Sequence, residues 1–325
     1  MKRLLKILSL TVGTWAVLGT VMISLTPQLR HRMIRDLRFL ARMRADNDRA
    51  MLPAPRHPSP SAWRDDELTA AWLGHATMLI NWRGVWILTD PIFSDHAGPN
   101  LGNLVVGPKR YVAPALTVKE LPRIDLIILS HAHFDHTDMR SLAQLARHSP
   151  RATVITAAKT ADLLDGKKFA RVEELAWGGR VTVSVRGEPL TVTALPVKHW
   201  GARWRRDTWR GYNGYLLERD GQRVVFSGDT AYTPVFASLA GGGGVDLMFV
   251  PIGAYDPWIA SHCSPEEAVQ MASEAAARHV FPMHFATFKL SAEPMDEPLR
   301  RFRAAIEPSR SAGGEIGGTF VLPRK

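Results

Sequence analysis

Beyond residue 65 the sequence predicts an α/β domain, two β-sheets sandwiched between helices, with a membrane segment ahead of it. Three observations lead there. Short strand patterns recur along the chain with few helical stretches between them. Several of these strands run directly into a histidine or an aspartate. At the other end, Ile7–Leu25 is a run of nineteen residues without a charge.

That run is long enough to span a bilayer, which takes roughly 17–25 residues. Lys2, Arg3 and Lys6 precede it as in a secretory signal, but no clear small-x-small cleavage site stands before Pro27. Residues 1–27 therefore read as a hydrophobic anchor or a signal-like segment, with an uncleaved anchor the favoured reading. Residues 1–44 hold nine Lys or Arg against one acid, Asp36, so +8 of the formal +10 lies there and +2 on the rest. The basicity bears on where the protein sits, and it argues against nucleic acid as a partner. The Arg-rich flank points to a cytoplasmic domain, and Lys2, Arg3 and Lys6 oppose it, so the membrane side stays open.

Leu29, Met33, Leu37, Leu40 and Met43 alternate with arginines at near-helical spacing, as in an amphipathic helix on anionic lipid. An ordinary solvated basic helix has the same spacing. Pro53, Pro55, Pro58 and Pro60 mark an extended linker, so residues 28–64 read as basic segment plus linker. The globular domain is expected from about Asp65 to the end.

Within it, strands are predicted at Leu68–Trp72, Thr77–Trp82, Val85–Thr89, Ile124–Leu129, Thr153–Thr156, Val181–Val185, Leu190–Leu195, Tyr215–Glu218, Arg223–Ser227 and Leu247–Pro251. Asn81–Gly84 and Glu218–Gly221 read as hairpin turns, with Gly supplying a positive φ. Helices are predicted at Met139–Arg147, Thr160–Asp165, Pro265–Ala277 and Pro298–Ile306. The third has the clearest start: Ser264 as N-cap, Pro265 in the first turn and Glu267 completing a capping box. Gly241–Gly244 is a flexible loop without a phosphate-binding fingerprint.

The most informative stretch is Leu126–His136, an apolar strand that ends in His131, His133, Asp135 and His136. Imidazole and carboxylate at a strand end need polar partners, and a zinc-like cation is one they both favour. Alternation puts His131 and His133 on one side, and the following turn swings Asp135 and His136 to a neighbouring position, an arrangement suited to two adjacent metals. His199, Asp229 and His284 likewise follow apolar strands, and Gly228 permits a tight turn that aims Asp229. The single cysteine, Cys263, excludes an intramolecular disulfide and a Cys-rich zinc site, so any metal rests on His and carboxylate.

The H-x-H-x-D-H string with isolated His, Asp and His resembles the metallo-β-lactamase superfamily of binuclear hydrolases. More narrowly, Trp72–Thr77, Leu88–Ser94, Gly107–Arg110, Phe226–Thr230, Pro251–Tyr255, Pro265–Ala268 and His284–Phe288 resemble its N-acylphosphatidylethanolamine-hydrolysing phospholipase D branch. The resemblance implies a four-layer αββα fold and two zinc ions. His131, His133 and His199 would hold the first, Asp135, His136 and His284 the second, with Asp229 bridging. Asp90 matches an aspartate that orients a ligand imidazole. His262 matches a histidine near the active site, for contact with the leaving group or the phosphate. His75 is typical of the branch and is expected to be structural; His31, His57, His96, His148 and His279 are expected at the surface or in packing, and Cys263 as a bystander.

The implied reaction is phospholipase D-type hydrolysis of N-acylphosphatidylethanolamine-like phospholipid to N-acylethanolamine and phosphatidic acid, with a hydroxide bridging the metals. Catalytic roles fall to Asp135, Asp229 and His262. The expected setting is a membrane surface, with Trp200–Arg210 bordering a headgroup entrance; a partner-facing loop fits that stretch equally. A lactonase or other ester or amide hydrolase would use the same centre on a carbonyl. A membrane-attached regulator that keeps the metals for stability is the non-enzymatic alternative.

Overall fold

A computed structural model describes residues 48–101, 104–204 and 206–323. The predicted span Ile7–Leu25 and the basic stretch through Met43 lie outside the described residues. Among those described, no helix is long and apolar enough to cross a membrane.

Among the described residues, fifteen strands and three α-helices follow one another. Strands β1 (Leu68–Gly74), β2 (Thr77–Trp82), β3 (Val85–Thr89), β4 (Asn100–Leu101), β5 (Leu104–Val105) and β6 (Leu126–Ile128) precede helix α1 (Met139–His148). Then come β7 (Thr153–Ala157), β8 (Arg171–Leu175), β9 (Arg180–Val185), β10 (Glu188–Leu195), β11 (Gly214–Arg219), β12 (Gln222–Phe226) and β13 (Val245–Pro251). Helix α2 (Pro265–Glu274), β14 (Ala277–Met283), α3 (Glu297–Ala305) and β15 (Thr319–Val321) complete it.

Strand β4 pairs with β5 alone, and the other thirteen strands form two large sheets, β15-β1-β2-β3-β6-β7-β8 and β14-β13-β12-β11-β10-β9. Each is mixed. Pairing is antiparallel along β1-β2-β3 and β9-β10-β11-β12, and parallel along β3-β6-β7-β8 and β12-β13-β14. One contiguous apolar core takes side chains from both sheets, among them the buried Trp72, Trp82, Tyr215, Phe226, Phe249 and Phe281. The Tyr215 hydroxyl donates to the Leu129 carbonyl (2.9 Å) and so ties the two sheets together near the end of β6.

The predicted hairpins form with two consecutive positive-φ residues each, Arg83-Gly84 and Asp220-Gly221. Arg186-Gly187 makes a third. Such turns match the right-handed twist of the strands they join. The α2 capping box is present: Ser264 Oγ accepts from Glu267 N (3.2 Å) and Ser264 N donates to the Glu267 carboxylate (2.9 Å). The helix stops at Glu274 instead of continuing to Ala277, because Ala276 adopts φ 50° and the chain turns at once into β14. Predicted helix Thr160–Asp165 is a short 3-10 turn, Ala161–Leu164.

The proline segment differs most from expectation. Instead of a free linker ending near Asp65, the compact unit begins at Ala50. Leu52 exchanges backbone hydrogen bonds with Tyr111 and Ala113, and Arg56 N donates to Ile316 O while its guanidinium meets Glu315 at 2.6 Å. Trp63 stacks on Trp86 with ring centroids 5.5 Å apart. Proline keeps the backbone extended, and the amides that remain are satisfied by the domain surface.

Gly228, between β12 and Asp229, has φ +58°, and a Cβ there would meet Asn213 O and Ser130 Cβ at 2.8 Å each. The substitution Gly228→Ala should cost about 1–3 kcal/mol from strain and overpacking. Equilibrium denaturation of the variant beside the wild type measures it.

Candidate metal centre

The seven predicted ligands converge at one end of the sandwich. The loop after β6 supplies His131, His133, Asp135 and His136, and the segments after β10, β12 and β14 supply His199, Asp229 and His284. Strand ends gather residues distant in sequence, as expected for α/β sheets.

The donors divide into two groups. In the first, His131 Nε2 lies 2.7 Å and His199 Nε2 3.3 Å from His133 Nδ1. In the second, Asp135 Oδ2 is 3.5 Å from His136 Nε2 and 3.6 Å from His284 Nε2. Between them Asp229 Oδ2 lies 3.1 Å from His136 Nε2, 3.0 Å from His284 Nε2 and 3.9 Å from His199 Nε2. It thus lies between the two groups, where the resemblance implies a bridging ligand.

Outer partners fix the tautomers. His199 Nδ1 donates to Ser261 O (2.8 Å), and His136 Nδ1 donates to Asp90 Oδ2 (2.6 Å), which turns each Nε2 toward the centre. His131 Nδ1 donates to Ser130 Oγ (2.8 Å), whose hydroxyl in turn donates to Asp90. Asp90 thus plays its expected part for His136 and reaches His131 as well. Among the described residues, Asp229 Oδ1 has no hydrogen-bond partner although it is buried.

This donor set fits metal. Bare imidazole nitrogens and carboxylate oxygens a few ångströms apart repel one another unless a cation or protons stand between them. Burial holds His131 and His199 well below the usual imidazole value and brings His133 down to about 4, so the first group is neutral and ready to ligate. In the second, burial opposes charge, but Asp229 and Asp135 outweigh it. They hold His136 well above its usual value and raise His284 to about 9. Against burial, His136 and His284 in turn keep Asp135 and Asp229 well below the carboxylate range.

His262 sits where expected, buried, with Nδ1 3.8 Å from Asp229 Oδ2 and its ring 5.0 Å from that of His199. Burial brings it down to about 4. Cys263 is a bystander: its buried thiol donates to Pro251 O and is pushed up by burial, away from thiolate. His57, His96, His148 and His279 all lie away from the centre, His57 on Glu120 and His148 on Pro122 O. His31 lies outside the described residues.

Two expectations change. His75, read as structural, is in the site: its Nε2 lies 2.9 Å from Asp135 Oδ2, and its ring centroid 4.1 Å from that of His284. Two arginines of Trp200–Arg210, Arg203 and Arg210, turn inward. Arg203 donates to Ala132 O and Thr137 O and covers the Phe134 ring, clamping the ligand loop, while Arg210 pairs with Asp162 and Asp207. Trp200 does border the centre. Trp200 stacks on His199 (4.5 Å) and meets His133 edge-on (4.7 Å) while remaining 43% exposed.

A family model for the β-lactamase superfamily domain matches residues 85–285. A metallo hydrolase from the archaeon Ignicoccus hospitalis shares the fold, with a TM-score of 0.61 at 20% identity over 79% of this chain and 99% of its own. With the donor set above, these define the class: the chain belongs to the metallo-β-lactamase superfamily and is a metal-dependent hydrolase. N-acyl-phosphatidylethanolamine-hydrolyzing phospholipase D 1 of Caenorhabditis elegans is 31% identical over 246 residues, 71% of this chain and 68% of that protein. An uncharacterized Mycobacterium tuberculosis protein is 32% identical over 278 residues, 83% of this chain and 72% of its own. Within the superfamily the chain belongs to the N-acylphosphatidylethanolamine-hydrolysing phospholipase D-like branch.

Metal entering the second group must displace protons from His136 and His284, because their folded values lie above neutrality. Its apparent affinity should fall as pH drops below about 9, by about tenfold per pH unit for each proton displaced. The first group, bare at neutral pH, should hold its affinity down to lower pH. Calorimetric metal titrations in buffers of different ionisation enthalpy read the proton release directly.

Proposed function

We propose that the chain is a binuclear zinc phosphodiesterase of the phospholipase D type that acts on N-acylphosphatidylethanolamine-like phospholipids. The observation that carries this reading is the full seven-residue donor set, with its Asp90 support, in a chain 31% identical to an enzyme named for that reaction. Two zinc ions held there would supply Lewis acidity to the phosphoryl oxygens and lower the pKa of the attacking water.

The residues prepare the rest. Water adds to phosphorus and the bond to the N-acylethanolamine oxygen breaks, giving phosphatidic acid and, once that oxygen is protonated, N-acylethanolamine. Asp229, with Oδ1 free of hydrogen bonds among the described residues and Oδ2 among four ring nitrogens, is aimed to hold the centre together and to accept a proton from the water. Asp135 fixes the second group. Buried and neutral, His262 sits with Nδ1 3.8 Å from Asp229 Oδ2 and would hydrogen-bond an incoming phosphoryl or leaving-group oxygen.

A membrane surface as partner is supported by the rim. Trp200, Trp204, Trp209, Trp258 and Ile259 are each 43–58% exposed. Trp258 accepts from His262 N, so the apolar side chains stand on the segments that carry His199 and His262. Amphipathic rings of this kind suit the headgroup level of a bilayer. Attachment through the uncharged Ile7–Leu25 run belongs to the same proposal.

The zinc-loaded protein should release N-acylethanolamine from vesicles of N-acylphosphatidylethanolamine faster than it opens lactones. Asp229→Asn should lower turnover by at least about a hundredfold with the fold retained by circular dichroism. Faster lactone turnover would transfer the assignment to the carbonyl hydrolases. Two bound metals with neither activity would favour the regulator.

A further inference from the structure

We propose that His75 is a positioning residue whose Nε2–H holds the Asp135 carboxylate and thereby sets the affinity of the second metal. The inference rests on the two-metal part of the reading above and not on the lipid substrate.

An ionised carboxylate can only accept, so the 2.9 Å contact between His75 Nε2 and Asp135 Oδ2 places the proton on Nε2. The Nδ1 of His75 has no hydrogen-bond partner among the described residues, although it is buried. The imidazole therefore makes one polar contact, and that contact is to a ligand. A side chain present only for packing would not require a buried nitrogen left bare on its other side.

The backbone supports this. His75 adopts φ 54°, in the left-handed region where a non-glycine residue is uncommon, directly after Gly74 at φ 116°. Its amide donates to Thr287 Oγ1 (2.7 Å), and its carbonyl accepts from Trp72 Nε1 (2.7 Å) and from His284 N (2.9 Å). One residue thus touches two ligands of the same group, Asp135 by side chain and His284 by backbone. The ring is walled by His284 and by Phe288, with centroids 4.1 and 5.1 Å away.

The oxygen it holds is the one that faces the second group. Asp135 Oδ2 lies 3.5 Å from His136 Nε2 and 3.6 Å from His284 Nε2. His136 and His131 are oriented through Asp90 and Ser130, and His199 through Ser261. Asp135 on its short side chain would rotate between one-oxygen and two-oxygen contact without His75. Loss of such an outer hydrogen bond should weaken the second metal and spare the first.

The test compares His75→Met, which keeps length and loses the donor, with His75→Gln, which keeps both. Zinc affinities are measured by competition with a chromophoric chelator, and the visible absorption of the cobalt-substituted protein identifies which group is filled. His75→Met should lower the second affinity about 10–100-fold with the first unchanged, and His75→Gln should restore most of it. If His75→Met does not fold, His75→Phe gives the same deletion with an aromatic ring in place. Two metals held by the donor-free variant as tightly as by wild type would overturn the inference alone. So would a glutamine variant as weak as the donor-free one. A wild type that holds one metal would overturn the two-metal reading and this inference with it.

Discussion

The centre depends on a single buried carboxylate that touches no substrate. Asp90 follows β3, with φ 30° and no solvent exposure, and its two oxygens accept from His136 Nδ1, Ser130 N and Ser130 Oγ. Through the serine hydroxyl it also reaches His131. One side chain therefore fixes a ring in each metal group, and both rings turn Nε2 to the centre because their other nitrogen is committed elsewhere. Thr77 Oγ1 holds the Asp90 carbonyl, and Asp90 N donates to Ile128 O, so the carboxylate is itself pinned between β2 and β6. Buried polar networks of this sort hold their geometry because every broken contact leaves a desolvated group behind.

Around that anchor the two groups are electrostatically unlike. The first is all imidazole, kept neutral by burial. The second mixes imidazole with carboxylate and draws protons onto its rings when nothing else balances Asp135 and Asp229. The bridging Asp229 faces both, so charge introduced in one group is felt in the other. Left-handed backbone at Asp90, His75 and His284 is concentrated here, as is common where a fold holds side chains in a demanding geometry.

Much of this was legible in the sequence, for physical reasons. Uninterrupted apolar runs marked the buried strands β1 to β3 and β13, and a polar ligand directly after a run betrayed each of the seven donors. Ser264-Pro265 with Glu267 located the start of α2 to the residue. What escaped lacked such contrast. β8 reads Arg171-Val172-Glu173-Glu174-Leu175, a half-exposed edge strand without an apolar run, and β15 is three residues whose place depends on pairing with β1. The proline segment carried the composition of a linker, and only the complementary backbone of Tyr111, Ala113 and Ile316 makes it part of the domain. His75 sat beside Gly74 in a string characteristic of the branch, but its partner Asp135 is sixty positions away, and no local pattern encodes such a contact.

Both metal groups take ligands from both sheets. The first sheet provides His131, His133, Asp135 and His136, the second His199, Asp229 and His284. A chain with one cysteine cannot stitch its halves together with an internal disulfide. Filled, the centre would act as two short cross-links between layers otherwise joined by apolar contact, each closing a loop between residues distant in sequence. Such links restrict the unfolded chain more than they restrict the folded one. The cations would then be architectural as well as chemical, and sliding of one sheet on the other would change the spacing at which water and phosphate are presented.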